Sequence, residues 1–148
     1  MNVVILENIR SAYNVGNIIR TADALWRQVR LSWYTPSPLE NIKVVKTSLG
    51  AENSVWLKQF DSTADAIEQA RKENYMVIAA EITKSSTPLD SMKKPDRSIA
   101  VVFGNEVDGV LDSTLKIVDE VVHIPMKGIK ESLNVGQTSA IFMRALDQ

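Results

Sequence analysis

The chain has 148 residues, of which 45% are apolar and 24% are charged. These values are typical of one globular domain, so we expect residues 1–148 to form a single domain. The sequence contains no apolar run of about 18 residues and no signal-peptide pattern, so we expect a cytoplasmic protein without a membrane span. Without cysteine it has no disulfide and no cysteine-held zinc, and a net charge of −1 restricts any nucleic-acid site to a local basic patch.

Short apolar runs alternate with helical patterns along the chain. The first strand is predicted at residues 2–7, and the next helix has its apolar positions at Val15, Ile18, Ile19, Ala22, Leu25 and Trp26. Further strands are predicted at residues 29–34, 55–60, 75–80, 98–103 and 118–124. A second helix is predicted around Ala64, Ile67 and Ala70, with Asp61, Ser62 and Thr63 as candidate N-caps, and a last one at Val135–Leu146. This alternation predicts an α/β fold with a mostly parallel sheet and flanking helices.

Parallel sheets bind ligands beyond the carboxyl ends of their strands, which directs attention to the loops that follow the predicted strands. Residues 83–96 form the longest polar connection, and connections of that length are usually functional or mobile. After the strand at 98–103, Gly104 and Gly109 would let the backbone approach a ligand, and Glu106 offers a carboxylate to a ribose hydroxyl. A tight turn with a solvated acidic residue explains the same pattern equally well.

Two further loops carry candidate polar groups. Asn14 opens the first helix, and Arg20 follows between apolar positions, where its five donors suit a phosphate. A surface ion pair is the alternative for Arg20. Ser132 and Asn134 precede the last helix, where either could bind a ligand or simply cap the helix.

Several other kinds of site are not supported by the sequence. No Walker A pattern follows Gly109, and no Gly-x-Gly-x-x-Gly follows the first strand. His123 is the only histidine and lies in an apolar strand, so we expect a structural role for it and no catalytic triad. Asp108, Asp112 and Asp119 lack the spacing of a calcium loop, and no metal site is expected.

Taken together, the three loops resemble the three signatures of the TrmH/SpoU class of RNA 2′-O-ribose methyltransferases in the SPOUT superfamily. The first signature is matched by Asn8, Arg10, Asn14, Gly16, Arg20, Thr21, Ala22 and Asp23. The second is matched by Phe103, Gly104, Asn105, Glu106 and Gly109. The third is matched by Ile124, Pro125, Met126, Ser132, Leu133, Asn134 and Val135. Residues 46–52 are also similar to a segment of family members, and the resemblance covers nearly the whole chain.

The resemblance implies a SPOUT fold with a C-terminal trefoil knot, a feature that general fold rules would not suggest. It also implies S-adenosylmethionine as cofactor, no metal, and an obligate homodimer. Since the first strand begins near the N-terminus, we expect a minimal catalytic unit that captures RNA on the dimer surface.

The implied reaction is methyl transfer from S-adenosylmethionine to a ribose 2′-hydroxyl of RNA, with tRNA expected before ribosomal RNA. A ribosomal RNA 2′-O-methyltransferase and a non-catalytic RNA-binding protein of the same fold are the alternatives. The catalytic positions carried over from the family are Arg20, Asn14, Glu106, Ser132 and Asn134. The expected cofactor-binding positions are Gly104, Ile124, Met126, Leu133 and Thr83.

Apolar side chains at helix ends suggest where a dimer would form. We expect Trp26 and Phe142 to leave an exposed apolar patch in a monomer, which a two-fold interface would bury. On this expectation, a charge at Phe142 would produce monomers.

Overall fold

The structure, a computed structural model, describes residues 1–147, and its centre is a sheet of seven parallel strands. The strands are β1 (Val3–Glu7), β2 (Gln28–Ser32), β3 (Trp56–Phe60), β4 (Met76–Ala80), β5 (Thr87–Pro88), β6 (Ile99–Phe103) and β7 (Glu120–His123). Their order across the sheet is β3-β2-β1-β6-β4-β7-β5. The expectation of an α/β fold with a mostly parallel sheet is therefore confirmed.

Five α-helices among residues 1–147 cover both faces of this sheet. They are α1 (Ala12–Leu25), α2 (Ile42–Ser48), α3 (Thr63–Lys72), α4 (Asp112–Leu115) and α5 (Val135–Leu146). Successive residues of β1 point to opposite faces, so Val4 and Leu6 pack under α1, α2 and α5, whereas Val3 and Ile5 pack under α3. Burial on both faces explains why the central strands read as continuous apolar runs.

Side-chain caps begin the three longest helices. Ser11 accepts a hydrogen bond from the backbone N–H of Asn14 at the start of α1. Ser62, one of three candidates, caps α3 in the same way. Asn134 caps α5 by accepting from the backbone N–H groups of Gly136 and Gln137. These bonds satisfy donors that a helix N-terminus leaves unpaired.

The predicted elements are present with ends shifted by one or two residues in most cases, and several short elements were not predicted. The helices α2 and α4 are too short to show a reliable apolar period. The connection at residues 83–96 contains β5, which exists because it pairs with β7, a partner distant in sequence. The predicted trefoil knot stays a prediction.

The expectation of an apolar patch at Trp26 and Phe142 is wrong. Trp26 is 2% exposed and Phe142 is 1% exposed. Phe142 packs edge to face on Phe103, with ring centroids 5.7 Å apart, on the sheet face covered by α1 and α5. Both side chains are buried in the core beneath these helices. A charge at Phe142 would therefore disrupt the core and would not report on a dimer.

The carboxyl ends of the central strands lie side by side at one edge of the sheet. Phe103 at the end of β6 pairs in register with Leu6 of β1 on one side and with Ala80 of β4 on the other. The loops that follow β1, β4, β6 and β7 therefore converge at this carboxyl edge. Within residues 1–147, no helix has the length and apolar character needed to cross a membrane.

Candidate functional site

A cavity of about 730 Å³ opens at the carboxyl edge, beyond β4, β6 and β7. Its walls come from the loops at 80–83, 103–112, 123–126 and 132–135 and from the inner face of α5. A cavity of this size and place in an α/β sheet is typical of a small-molecule site.

All five expected cofactor-binding residues line this cavity. They are Gly104, Ile124, Met126, Leu133 and Thr83. Three expected catalytic residues, Glu106, Ser132 and Asn134, line it as well. The structure therefore brings the second and third signatures together around one space, although they are about twenty residues apart in sequence.

The Thr83 hydroxyl is a buried group that lacks a partner. Its Oγ1 and the Nε1 of Trp26 are the two buried side-chain polar atoms within residues 1–147 that make no hydrogen bond. Buried polar atoms normally find partners, and one at the wall of a cavity is suited to bond a ligand there. This orphaned hydroxyl fits the expected role of Thr83 in holding a cofactor.

The turn that carries Thr83 is fixed by neighbouring groups. The backbone N–H of Thr83 donates to Ser86 Oγ over 2.9 Å. Ser86 Oγ also lies 2.9 Å from Nδ1 of His123, which ends β7. His123 therefore ties this loop to the sheet, in keeping with the structural role expected for it.

The loop after β6 folds back tightly on itself, which explains its two glycines. The backbone N–H of Gly109 donates to the carbonyl of Asn105 over 2.9 Å, and the reverse bond measures 3.2 Å. A Cβ on Gly104 would lie 2.2 Å from backbone atoms of Gly109 and Val110, and Gly109 itself has a φ of +68°. A side chain at Gly104 would require the backbone to move, and one at Gly109 would be strained and would displace the Glu81 carboxylate.

Two carboxylates hold the far end of this loop. Glu81, just after β4, accepts from the backbone N–H of Val110 over 3.0 Å. Glu7, at the end of β1 and 1% exposed, accepts from the next N–H, that of Leu111, over 2.8 Å and from the Thr114 hydroxyl. We did not predict either residue. The available signal was an acidic residue at the end of a buried apolar strand, where a solvated carboxylate is unexpected.

Glu106 connects the loop after β6 to the loop after β1. Its carboxylate accepts from the backbone N–H groups of Arg10 and Ser11 over 2.9 and 3.1 Å and from the Asn14 amide over 2.9 Å. Partial burial of the carboxyl opposes ionisation, but these donors outweigh it and hold the pKa of Glu106 below its ordinary value. Glu106 is therefore an anion that anchors the start of α1.

Asn14 extends this connection to the start of α5. Its Oδ1 accepts from the Asn134 amide over 3.1 Å, while Asn134 Oδ1 caps α5. Glu106, Asn14 and Asn134 thus form one hydrogen-bonded chain, which we call the Glu106–Asn14–Asn134 chain. Asn134 thus caps α5, one of the two alternatives that the sequence left open, and also lies at the cavity; its binding of a ligand stays a prediction.

Arg20 lies outside this chain of hydrogen bonds. Its side chain is exposed on α1 and does not line the cavity. Within residues 1–147 it makes neither a hydrogen bond nor an ion pair, so the surface ion pair considered as its alternative is absent from this part of the chain. Ser132 is also exposed, at the cavity wall. Both groups are therefore accessible to a large substrate.

Gly16 explains why residues 46–52 accompany the first signature. A Cβ on Gly16 would lie 1.8 Å from Thr47 Oγ1 and 2.4 Å from the carbonyl of Val44, so only glycine allows α1 and α2 to pack this closely. The Thr47 hydroxyl donates to the carbonyl of Tyr13 over 3.1 Å. This contact supports the start of α1, where Asn14 lies.

Comparison with known proteins gives a family match and several relatives. Residues 1–144 match the model of the SpoU rRNA methylase family. A tRNA (guanosine(18)-2′-O)-methyltransferase of Aquifex aeolicus is 25% identical over 142 residues, which cover 95% of this chain and 66% of that protein. The 23S rRNA (guanosine-2′-O-)-methyltransferase RlmB of Neisseria meningitidis is 30% identical over 141 residues, or 95% of this chain and 56% of the relative. The chain thus spans less than two thirds of the length of these curated relatives.

Solved structures show the same fold. A protein of Porphyromonas gingivalis described as an RNA methyltransferase of the TrmH family superposes with a TM-score of 0.87 at 26% identity, covering 98% of this chain and 58% of that one. An AdoMet-bound rRNA methyltransferase from Sinorhizobium meliloti gives a TM-score of 0.90 at 24% identity, covering 98% and 55%. The SPOUT-type arrangement of the sheet and helices is shared with both.

Proposed function

The chain belongs to the SpoU rRNA methylase family, and from that membership we propose that it transfers a methyl group from S-adenosylmethionine to a ribose 2′-hydroxyl of RNA. The observation that carries the proposal is the Glu106–Asn14–Asn134 chain, which joins all three signatures at the rim of one cavity. A protein that only bound RNA would have no need of a small-molecule cavity built into the same network.

The cavity suits the proposed cofactor. Its volume of about 730 Å³ is within the usual range for sites that hold a ligand of this size. The Thr83 hydroxyl has no partner among residues 1–147, and Ile124, Met126 and Leu133 supply an apolar wall against which an adenine can pack. We propose that these residues and the backbone at Gly104 hold the adenosyl part.

Methyl transfer requires the protein to align the two reactants and to stabilise the charge that develops on the ribose oxygen. Bound S-adenosylmethionine supplies a methyl group already activated by its sulfonium. The chain must hold the ribose oxygen in line with that group and ease the loss of the hydroxyl proton. An arginine scarcely deprotonates, so we propose that Arg20 binds the phosphate beside the ribose and stabilises the developing negative charge. That phosphate or a water then accepts the proton.

The remaining site residues have positioning roles in this proposal. Ser132 and Asn134, at the cavity rim, orient the ribose. Glu106 and Asn14 fix the start of α1 and thereby the direction in which Arg20 projects. No metal enters this scheme.

The proposal extends to the substrate and the assembly. The Aquifex relative acts on tRNA and the Neisseria relative on ribosomal RNA, and we propose tRNA as the first candidate and ribosomal RNA as the second. We propose that residues 1–148 act as one methyltransferase domain, and as a homodimer in the cytoplasm. Tyr13 on α1 and Ile141 on α5 support a dimer, because they are 61% and 41% exposed on helices that pack together beside the site.

Methyl transfer can be tested directly with the purified protein. The experiment incubates it with S-adenosylmethionine carrying a labelled methyl group and, in parallel, with total tRNA or ribosomal RNA. Nucleoside mass spectrometry then identifies the product, and we expect a 2′-O-methylated nucleoside from the tRNA reaction. Label on a base, or cofactor binding without transfer to either RNA, would contradict the proposal. The second result would favour a non-catalytic RNA-binding protein.

A further inference from the structure

We propose that Trp33 and Tyr34 form a stacking platform that holds an unpaired RNA base next to the target ribose. The inference rests on the proposed function and adds to it a way of recognising the substrate. The two residues directly follow β2 at the carboxyl edge of the sheet. They lie apart from the cavity and belong to none of the three signatures.

Both aromatic side chains expose at least half of their surface and lie outside the hydrophobic core. Trp33 is 52% exposed and Tyr34 is 83% exposed. Their ring centroids lie 6.4 Å apart at an angle of 73°, so the two rings present faces in different directions. Trp33 also has a φ of +57°, a left-handed conformation that is unfavourable for a bulky residue. Four other non-glycine residues share this conformation, so it fixes the direction of the Trp33 ring but does not by itself mark a site.

The platform is attached firmly to the first signature. The backbone N–H of Ile9 donates to Thr35 Oγ1 over 3.0 Å, and that hydroxyl donates to the carbonyl of Leu6 over 3.1 Å. Ser32 Oγ makes a second bond to the same carbonyl over 3.1 Å. These bonds fix both sides of the Trp33–Tyr34 turn to the loop that carries Arg10.

The sheet order gives the distance from the platform to the nearest wall of the cavity. The strands β2, β1 and β6 are consecutive neighbours, and β6 leads into Gly104 and Glu106. Two strand spacings separate β2 from β6, which is about 10 Å. A nucleotide beside the one that is methylated can therefore reach Trp33 while the target ribose is at the cavity rim.

The exposed rings and the unpaired cations of this region favour nucleic acid as the occupant. Arg10 lies in the loop that Thr35 bonds, and Lys43 and Lys46 lie on α2, the helix that follows the platform in sequence; all three are exposed and form no ion pair within residues 1–147. The acidic residues of the region are Glu40, Asp61 at the end of the neighbouring β3, and Glu106, whose carboxylate accepts from the backbone of Arg10. Exposed aromatic rings beside cations that have no acidic partner are typical of single-stranded nucleic-acid sites. A second copy of the same surface is a poorer occupant, because a two-fold contact would bring the same cations together.

The matched control for this proposal is Trp56. It is 66% exposed, but it opens β3 and pairs in register with Gln28, so it lies at the opposite, amino edge of the sheet. We compare Trp33→Gly and Tyr34→Leu with Trp56→Leu. Glycine removes the Trp33 ring and also suits the left-handed backbone, so the variant tests stacking without adding strain.

The first measurement is steady-state methyl transfer to total tRNA. We expect Trp33→Gly and Tyr34→Leu each to raise KM for RNA by at least about 5-fold, the smallest effect expected when one stacked base is lost. The kcat at saturating RNA and the Kd of S-adenosylmethionine should stay within about 2-fold, and Trp56→Leu should match the wild type. Unchanged KM in both platform variants, or an equal rise in Trp56→Leu, would overturn the proposal.

The second measurement does not depend on catalysis. In Trp56→Phe the remaining tryptophans are Trp33 and the buried Trp26, so base stacking on Trp33 should quench fluorescence when a ten-nucleotide single-stranded RNA is added. In Trp33→Phe the same titration should leave fluorescence unchanged.

Quenching in a protein that fails to methylate RNA would support the platform and refute the proposed function. Loss of dimers in Trp33→Gly with unaltered RNA affinity would assign the surface to a second copy and overturn the inference.

Discussion

The Asn14 amide donates to the Glu106 carboxylate over 2.9 Å although the two residues are 92 positions apart in the sequence. Asn14 opens α1, and Glu106 belongs to the loop after β6, so this bond fixes one wall of the cavity to the helix that carries Arg20. The same Asn14 side chain accepts from Asn134. A change at any of the three residues is therefore expected to affect the other two.

Replacing Glu106 by Gln should weaken both stability and methyl transfer. Glutamine keeps the size of the side chain but has one acceptor oxygen in place of two, while Arg10, Ser11 and Asn14 still present three donors. We expect the free energy of unfolding at neutral pH to fall by about 1 kcal/mol, since the carboxylate is partly exposed. Urea denaturation followed by circular dichroism measures this change.

The pH dependence of this effect follows from the sign of the pKa shift. The pKa of Glu106 in the folded protein lies below its ordinary value of 4.5. Its contribution to stability is therefore present above pH 4.5 and is lost as the pH falls through the folded pKa. The difference between wild type and Glu106→Gln should shrink on acidification. The control is Glu68→Gln, which removes a surface pair with Lys72 and should change stability little. A constant difference down to acid pH would contradict the proposed anchoring by the anion.

Arg20→Ala should abolish methyl transfer and leave the fold intact. The Arg20 side chain is exposed and has no partner within residues 1–147, so we expect the unfolding free energy to change by less than about 0.5 kcal/mol. The Kd of S-adenosylmethionine should stay within a few-fold, because Arg20 does not line the cavity. Kinetics and calorimetric titration measure the two effects separately.

The variant Arg20→Lys refines this test, and Arg144→Ala is the control. Lysine keeps the charge but loses the planar fork that binds phosphate, so activity should recover only in part. Arg144 is an exposed arginine on α5 whose nearest acidic group is 3.9 Å away, and its removal should leave activity unchanged. Equal losses of activity and cofactor affinity in Arg20→Ala would show that its role is structural.

Most of the fold could be predicted because the information is local. An apolar period identifies each strand buried on both faces, and polar residues such as Ser62 mark where a helix begins. Trp26 and Phe142 were placed wrongly because a residue at a helix end can face either solvent or the sheet. The sequence shows that Trp26 and Phe142 are apolar, but it does not show which way they face. Their burial is visible only in the structure, where Phe142 packs on Phe103.

The loops that form the site could be predicted from the sequence, but the hydrogen bonds that join them could not. Gly104, Glu106 and Asn134 stand in recognisable patterns, and the structure places all three at the cavity. Glu7 and Glu81 were missed because each acts on a backbone N–H group, which is present at almost every residue and leaves no sequence pattern at Val110 or Leu111.

Thr83→Val should weaken cofactor binding while stabilising the free protein. The Thr83 hydroxyl is buried and has no partner in the described part of the chain, residues 1–147, so a methyl group in its place should raise the unfolding free energy by about 1 kcal/mol in the absence of ligand. The Kd of S-adenosylmethionine should rise by about 5- to 10-fold as one hydrogen bond is lost. Thermal unfolding with and without cofactor measures both effects. Thr21→Val is the control, because that hydroxyl already donates to the carbonyl of Asn17 on α1. An unchanged Kd in Thr83→Val would remove Thr83 from the proposed cofactor site.

Removal of divalent metal should leave cofactor binding and methyl transfer unchanged. The proposed reaction uses an activated methyl donor and a side chain, Arg20, that carries a permanent charge. Calorimetric titration of S-adenosylmethionine in the presence of EDTA tests binding without RNA. Transfer is then assayed on a short unstructured RNA, so that loss of RNA folding cannot imitate loss of activity. Activity that EDTA abolishes and one divalent ion restores would contradict the proposed mechanism.

A charge at Ile141 should produce monomers that lose methyl transfer. Ile141 is 41% exposed on α5, whereas Phe142 beside it is buried against Phe103, so only Ile141 can report on an interface without damage to the core. In the proposed dimer a carboxylate at this position would be buried without a partner, which is strongly unfavourable. We expect Ile141→Asp to sediment as a monomer with wild-type secondary structure by circular dichroism, lower thermal stability because the interface is lost, and much reduced transfer. Ile117→Asp is the control, because Ile117 is 36% exposed but follows α4 on the opposite face of the sheet. A fully active Ile141→Asp monomer would show that each chain completes its own site.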